Sequence, residues 1–268
     1  MRQMKEGKRS LKYNVLLGLP YVGIVLALLW IAPYDLALNQ YLYNPQNPLA
    51  ILFERWILCP IELLAVLCFY VLYRAKRQRR YALCALLTLW IVSFDTLKYW
   101  TSDLLVYGVV CVSALTLALC FHWMMRERVQ VDWGRYESFC RYFLIVFLSS
   151  FLLTFLLKSG WGRVRFREMN GDWSLFTPWY QINGFTHHQS FPSAHSAVMS
   201  TLLCFWQPCA KVHQGKFTWL LRILIIGLIG AMMIMRMMAG AHFFSDVLVG
   251  FLLTYTMVII YRPIGKGK

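Results

Sequence analysis

The sequence predicts an all-α fold: a polytopic transmembrane helix bundle of about eight spans, with six as the alternative and both termini in the cytoplasm. Three observations carry this expectation. The 268 residues are 59% hydrophobic and only 15% charged, with a mean hydropathy of +0.52, whereas a soluble domain of this length carries more charge. Several apolar runs approach the ~20 residues that a helix needs to cross a bilayer. Most of the 27 Lys and Arg fall in alternate short loops, the positive-inside pattern of membrane proteins. That distribution also accounts for the net charge of +15, so the charge does not imply a nucleic-acid partner.

Each element follows from its flanks. Residues 1–12 are basic, and an apolar run from Tyr13 to about Ala32 follows. It is long and lacks a small-residue cleavage site, so it reads as a retained anchor rather than a signal peptide. Pro33, Pro45, Pro48 and several Asn make 33–51 an outside loop. A second span covers 52–73 and ends on the basic cluster Arg74–Arg80, which fixes that end in the cytoplasm. A third (81–99) and a fourth (104–125) follow, interrupted by Asp95, Lys98 and Asp103. Arg126, Arg128, Arg135 and Arg141 mark an inner loop before a short fifth span, 142–157. The only long polar outer segment is 158–192. The sixth span is 193–206, the seventh 217–235 and the eighth 242–261, with Lys211 and Lys216 in the inner loop between the first two of these and an inner tail from Arg262. The eight cysteines show no CxxC spacing and read as small apolar packers, neither a disulfide framework nor a metal site.

Three polar groups interrupt this oily chain: Lys158 to Arg165, Pro192 to His195, and Arg236 through His242 to Asp246. The topology sets all of them at helix ends on the outer face. Their inventory suits a phosphate ester. Cations hold the anion, one imidazole attacks, and another protonates the leaving oxygen. His242 and Asp246 are four apart and share a helix face, so the carboxylate can accept from one ring nitrogen and fix the tautomer. Pro192 suits a first helical turn, whose free N–H groups attract anions. Arg163 and Arg167 read as cations snorkelling to headgroups. His187 and His188 read as solvated loop residues, and Trp161, Trp173, Trp179 and Tyr180 as an interfacial aromatic belt.

Lys158, six residues, Arg165; Pro192-Ser193-Ala194-His195; Arg236, five residues, His242, three residues, Asp246: in this order the set resembles the three-part signature of the type 2 phosphatidic acid phosphatase superfamily. The resemblance implies that 142–268 is a catalytic transmembrane core and 1–141 a set of N-terminal transmembrane helices, in one integrated bundle. It implies His242 as nucleophile forming a phosphohistidine, Asp246 as its orienting carboxylate, and His195 as acid and then base. Lys158, Arg165, Ser193 and Arg236 are implied to bind the phosphoryl oxygens, with no metal or other cofactor. The implied protein is a plasma-membrane lipid phosphatase, its site facing outward and its partners membrane lipids and a lipid phosphate: phosphatidic acid, phosphatidylglycerophosphate or undecaprenyl diphosphate. A phosphotransferase on the same site, and an inactive lipid-binding or transport homologue, are the alternatives. Phe166, Ala194 and Met235 depart from the superfamily's usual proline, glycine and serine. The expected consequences are a looser turn after Arg165 and weaker phosphate positioning beside Arg236.

Overall fold

The computed structural model of the protein describes residues 2–97, 131–206 and 215–262, with scattered helical positions between 108 and 122. Its regular elements are helices: α1 (Arg2–Ile31), α2 (Asp35–Leu42), α3 (Pro48–Arg55), α4 (Cys59–Lys76), α5 (Arg79–Leu97), α6 (Gly134–Trp161), α7 (Ala194–Ser200), α8 (Lys216–Met238) and α9 (Phe244–Ile260), with 3-10 turns at Phe166–Glu168, Trp173–Leu175 and Thr201–Phe205. Among the described residues three stretches are long and apolar enough to cross a membrane: Pro48–Lys76, Gly134–Glu168 and Lys216–Met238. A fourth joins them if Leu17–Ile31 and Asp35–Leu42, bent by 84°, count as one span. The expected fourth span, the side chains of Asp95, Lys98 and Asp103, the basic residues 126, 128 and 211, and most of the C-terminal tail lie outside the described residues.

The expected outer loop at 33–51 is instead two short helices. Pro33 does end α1, but Pro48 opens α3 at its first turn, where its missing N–H costs nothing. Asn47 caps that turn, its Oδ1 accepting from Leu49 N at 2.9 Å. Helix α6 also starts earlier than the apolar run, because Asp132 accepts from Gly134 N at 3.1 Å. It stops at Gly162, whose φ of +64° and close approach to the Gly184 carbonyl exclude a side chain. The sixth expected span is seven residues of α-helix continued by the 3-10 turn Thr201–Phe205.

The main core lies where α4, α6, α7, α8 and the 3-10 turn after α7 meet. Ala65, Cys68, Leu72, Phe143, Val146, Met199, Cys204 and Met232 are buried in it. Helix α9 presses so closely on the start of α7 that Gly250 meets the Ser193 carbonyl. A smaller cluster of Val164, Phe166, Met169 and Phe243 roofs the far end of the bundle. Lys76 and Glu137 pair at 2.9 Å at the basic end of α4 and α6. Lys158 stands at the opposite end of α6, 21 residues further on, roughly 30 Å away at the helical rise.

Candidate active site

The third polar group begins in the last turn of α8. Arg236 belongs to that turn, and Gly240 then reverses the chain with φ +62°. A Cβ on Gly240 would come within 2.5 Å of the Tyr43 ring. Asn39 of α2 donates to the carbonyl of His242 at 3.0 Å and holds the turn from outside. The buried His242 Nδ1 lies 2.7 Å from the carbonyl oxygen of Ser190. A carbonyl only accepts, so Nδ1 carries the proton and Nε2 of the neutral ring keeps its lone pair. Asp246 Oδ2 lies 3.7 Å from Nδ1, outside hydrogen-bond range. The Ser190 carbonyl, rather than the expected carboxylate, is therefore the direct acceptor that fixes the tautomer.

Asp246 is itself tied down on three sides. Its Oδ2 accepts from Ser190 Oγ at 2.6 Å and from Phe243 N at 2.9 Å, which closes the first turn of α9. Its Oδ1 takes Arg163 Nη1 at 2.5 Å. Arg163 is fully buried, which corrects the expectation of a headgroup cation. It donates to Ser245 Oγ at 2.8 Å, to Asp35 Oδ2 at 3.0 Å and to the Thr177 carbonyl at 2.9 Å. Its guanidinium also stacks over Phe243 at 4.1 Å. A buried cation persists only when paired and fully bonded, and this one is.

In front of His242 lies a cavity of about 490 Å³. Lys158, Arg165, Arg236, His195 and His242 line its polar end, with Glu54, Glu62, Arg167, Gln189 and Ala194. Leu58, Ile91, Val92, Phe147, Leu148 and Phe151 form an apolar wall. Lys158 donates to the Gln189 carbonyl at 2.5 Å, and Arg165 pairs with Glu168 at 3.0 Å. Glu54 accepts from Arg167 at 2.9 Å, and its Oε1 lies 3.2 Å from Arg236 Nη1. Its backbone carbonyl lies 3.2 Å from His195 Nε2. That oxygen can only accept, so the ring donates from Nε2.

Five of the seven residues singled out in the sequence thus share one cavity. Asp246 stands behind His242. Ser193 does not line the space: it is buried, its N–H bonds the Asp246 carbonyl at 3.0 Å, and its side chain caps α7. Pro192 precedes that cap instead of occupying the first turn, and its peptide bond is cis. Phe166 does not loosen its turn. It is buried against Tyr43, Trp173 and Phe243, with ring centroids 5.0, 5.1 and 6.2 Å away. His187 is exposed, while His188 Nδ1 lies 3.2 Å from Glu168. Trp161 and Trp179 donate to the backbone carbonyls of Trp179 and Leu28, at 2.8 and 3.2 Å, and so hold the 158–192 segment onto the bundle. Among the described residues no cluster of ligating side chains could hold a metal ion.

Sequence reasoning missed Asp35, Asn39, Glu54 and Ser190. Asp35 had a signal, being a lone carboxylate in an apolar stretch, where an ionisable group is functional by default. Ser190 had none, since its contribution is a main-chain oxygen and a hydroxyl in a polar loop.

Fold and site together define a class: a protein whose described elements are helices, some of membrane length, with a pocket where two imidazoles face four cations. Residues 138–266 match the family model of the PAP2 superfamily, so that stretch carries a PAP2 domain. The match points to phosphatase activity. No curated protein and no solved structure matches the chain. The matched stretch opens within α6, so Asp35, Asn39 and Glu54 reach the site from outside it.

Proposed function

We propose that the protein is a metal-independent lipid phosphatase of the plasma membrane, with its site at the extracytoplasmic face, in a bundle of about eight spans with both termini inside. The observation that carries this is the two-sided cavity. Its cationic end suits a phosphoryl group. Its apolar wall suits the acyl or prenyl chain of the same molecule, and wall residues Ile91, Leu148 and Phe151 are themselves half exposed, opening the cavity sideways towards lipid. The orientation is supported by the basic ends of α4 and α6 lying opposite the cavity.

In this mechanism Lys158, Arg165 and Arg236 hold the phosphoryl oxygens and stabilise charge in the transition state. Ser193 stands one step back and secures α7, which carries His195. The Nε2 lone pair of His242 attacks phosphorus. The P–O bond to the lipid breaks, and His195 gives its proton to the departing alkoxide. The phosphate is then on His242. His195, now a base, takes a proton from water, whose oxygen attacks phosphorus, and inorganic phosphate leaves with His242 restored. Acid–base help of this kind contributes about 10²–10⁴-fold.

The test is phosphate release by the purified protein, in chelator, from phosphatidic acid, phosphatidylglycerophosphate and undecaprenyl diphosphate. The expected result is release that disappears in His242→Ala. Full activity in that variant rejects the mechanism, and lipid binding without turnover by the wild type rejects the enzyme.

A further inference from the structure

The two carboxylates around Arg163 are not equivalent. Asp246 belongs to α9 and lies next to His242. Asp35 belongs to α2, 211 positions earlier in the chain, brought back by the 84° bend after α1. Asp35 accepts from three donors: Arg163 Nη2 at 3.0 Å, Ser245 N at 3.2 Å and Ser245 Oγ. An acceptor of three donors is behaving as an ionised carboxylate. Asp35, Arg163 and Asp246 are all shut off from solvent, so their charges are felt at short range with little screening.

The charge balance gives Asp35 a purpose. Arg163 alone would cancel Asp246 and leave a neutral pair behind His242. With Asp35 included, the buried group keeps one net negative charge, and its nearest edge is 3.7 Å from His242 Nδ1. Attack by Nε2 leaves positive charge on that ring. A fixed negative charge behind the ring offsets it without any reorganisation at the moment of reaction.

We infer that Asp35 is a positioning residue for His242, acting through Arg163 and Asp246 to set the charge behind the nucleophile. The N-terminal helices therefore complete the site chemically as well as covering it. The inference rests on His242 being the attacking group.

The test uses the full-length protein in lipid micelles and the variant Asp35→Asn, which keeps the shape and removes the charge. Expected is a fall in kcat of about 10- to 100-fold, the scale of a disturbed catalytic constellation, with KM changed by less than about threefold and a monodisperse, cooperatively melting protein. In an Asp246→Asn background the same change takes the buried group from neutral to one net positive charge and should lower kcat again, by about 10- to 100-fold. Unchanged kcat on Asp35→Asn in either background overturns the inference. Should Asp35→Asn fail to fold, Ser245→Ala is the second variant; it loosens Asp35 from Arg163 and is expected to lower kcat several-fold with KM held, and wild-type turnover there overturns the inference. A readout that needs no substrate separates this from the functional reading. Carbethoxylation of His242 by diethyl pyrocarbonate, followed by mass spectrometry with His195 as internal reference, should slow in Asp35→Asn. An unchanged His242 rate counts against Asp35, whereas wild-type protein inert towards every lipid phosphate counts against the phosphatase alone.

Discussion

His195 has the most exacting demand of any single residue, because a general acid matters only as much as its leaving group is poor. Its Nε2 points at the Glu54 carbonyl, a weak partner that gives up the hydrogen bond when an ester oxygen arrives. His195→Ala should lose about 10²–10⁴-fold on an alkyl phosphate lipid but far less on p-nitrophenyl phosphate, whose phenolate leaves unaided. Parallel kcat/KM measurements on the two substrates check this, and equal losses would remove His195 from that role. Arg163 makes a second prediction at this scale. Arg163→Leu strands Asp35 and Asp246 in the interior, and breaking a buried pair from one side costs about 3–5 kcal/mol. Thermal unfolding in detergent should register that loss. The sequence assigned Arg165 to the phosphate site but took Arg163 for a headgroup cation, whereas it is buried. Arg163 and Arg165 are two positions apart in one short turn, and only packing by Phe243 and Phe176 decides which is buried and which reaches the cavity.

Helix junctions set the next level of precision. Gly250 lets α9 lie against the start of α7, and Ser193 N bonds the Asp246 carbonyl across the same contact. Gly250→Ala should push the helices apart, costing about 1–3 kcal/mol of stability through overpacking and lowering kcat by separating His195 from His242. Differential scanning fluorimetry with the lipid assay tests both halves. The apolar wall belongs to α5 and α6, with Leu58 ahead of α4, and should govern chain recognition. Phe151→Trp is expected to raise KM for a long-chain phosphatidic acid by up to about tenfold, one to two kcal/mol of lost apolar contact, and to leave p-nitrophenyl phosphate unaffected; an equal effect on both would detach the wall from the substrate. Helix ends with a lexical signal were legible: the basic stop after α4, and the three motifs at the ends of α6, α7 and α8. Helices α2 and α3 were not, because proline and asparagine signal a loop and a helix start with the same letters, and Asn47-Pro48 is the second.

Across the whole molecule, sequence periodicity reveals which segments are apolar enough to enter a membrane, while the meeting of distant elements depends on packing that no local pattern encodes. Hence His195, His242, Lys158, Arg165 and Arg236 were legible as one site, whereas Asp35 and Glu54, supplied by helices without a motif, were not. The orientation is testable by labelling single cysteines in intact cells. Phe185→Cys, at a position 91% exposed in the 158–192 segment, should react with an impermeant maleimide. Gln78→Cys, in the basic turn after α4, should react only once the cells are opened. The claim on which the rest depends is that phosphate passes through His242. Rapid quench of turnover on phosphatidic acid labelled in its phosphate, followed by digestion and mass spectrometry under alkaline conditions, tests it most directly. An acid-labile phosphate on His242, absent in His242→Ala and accumulating in His195→Ala, is the predicted result; sustained phosphate release with no phosphorylated His242 at any quench time contradicts it.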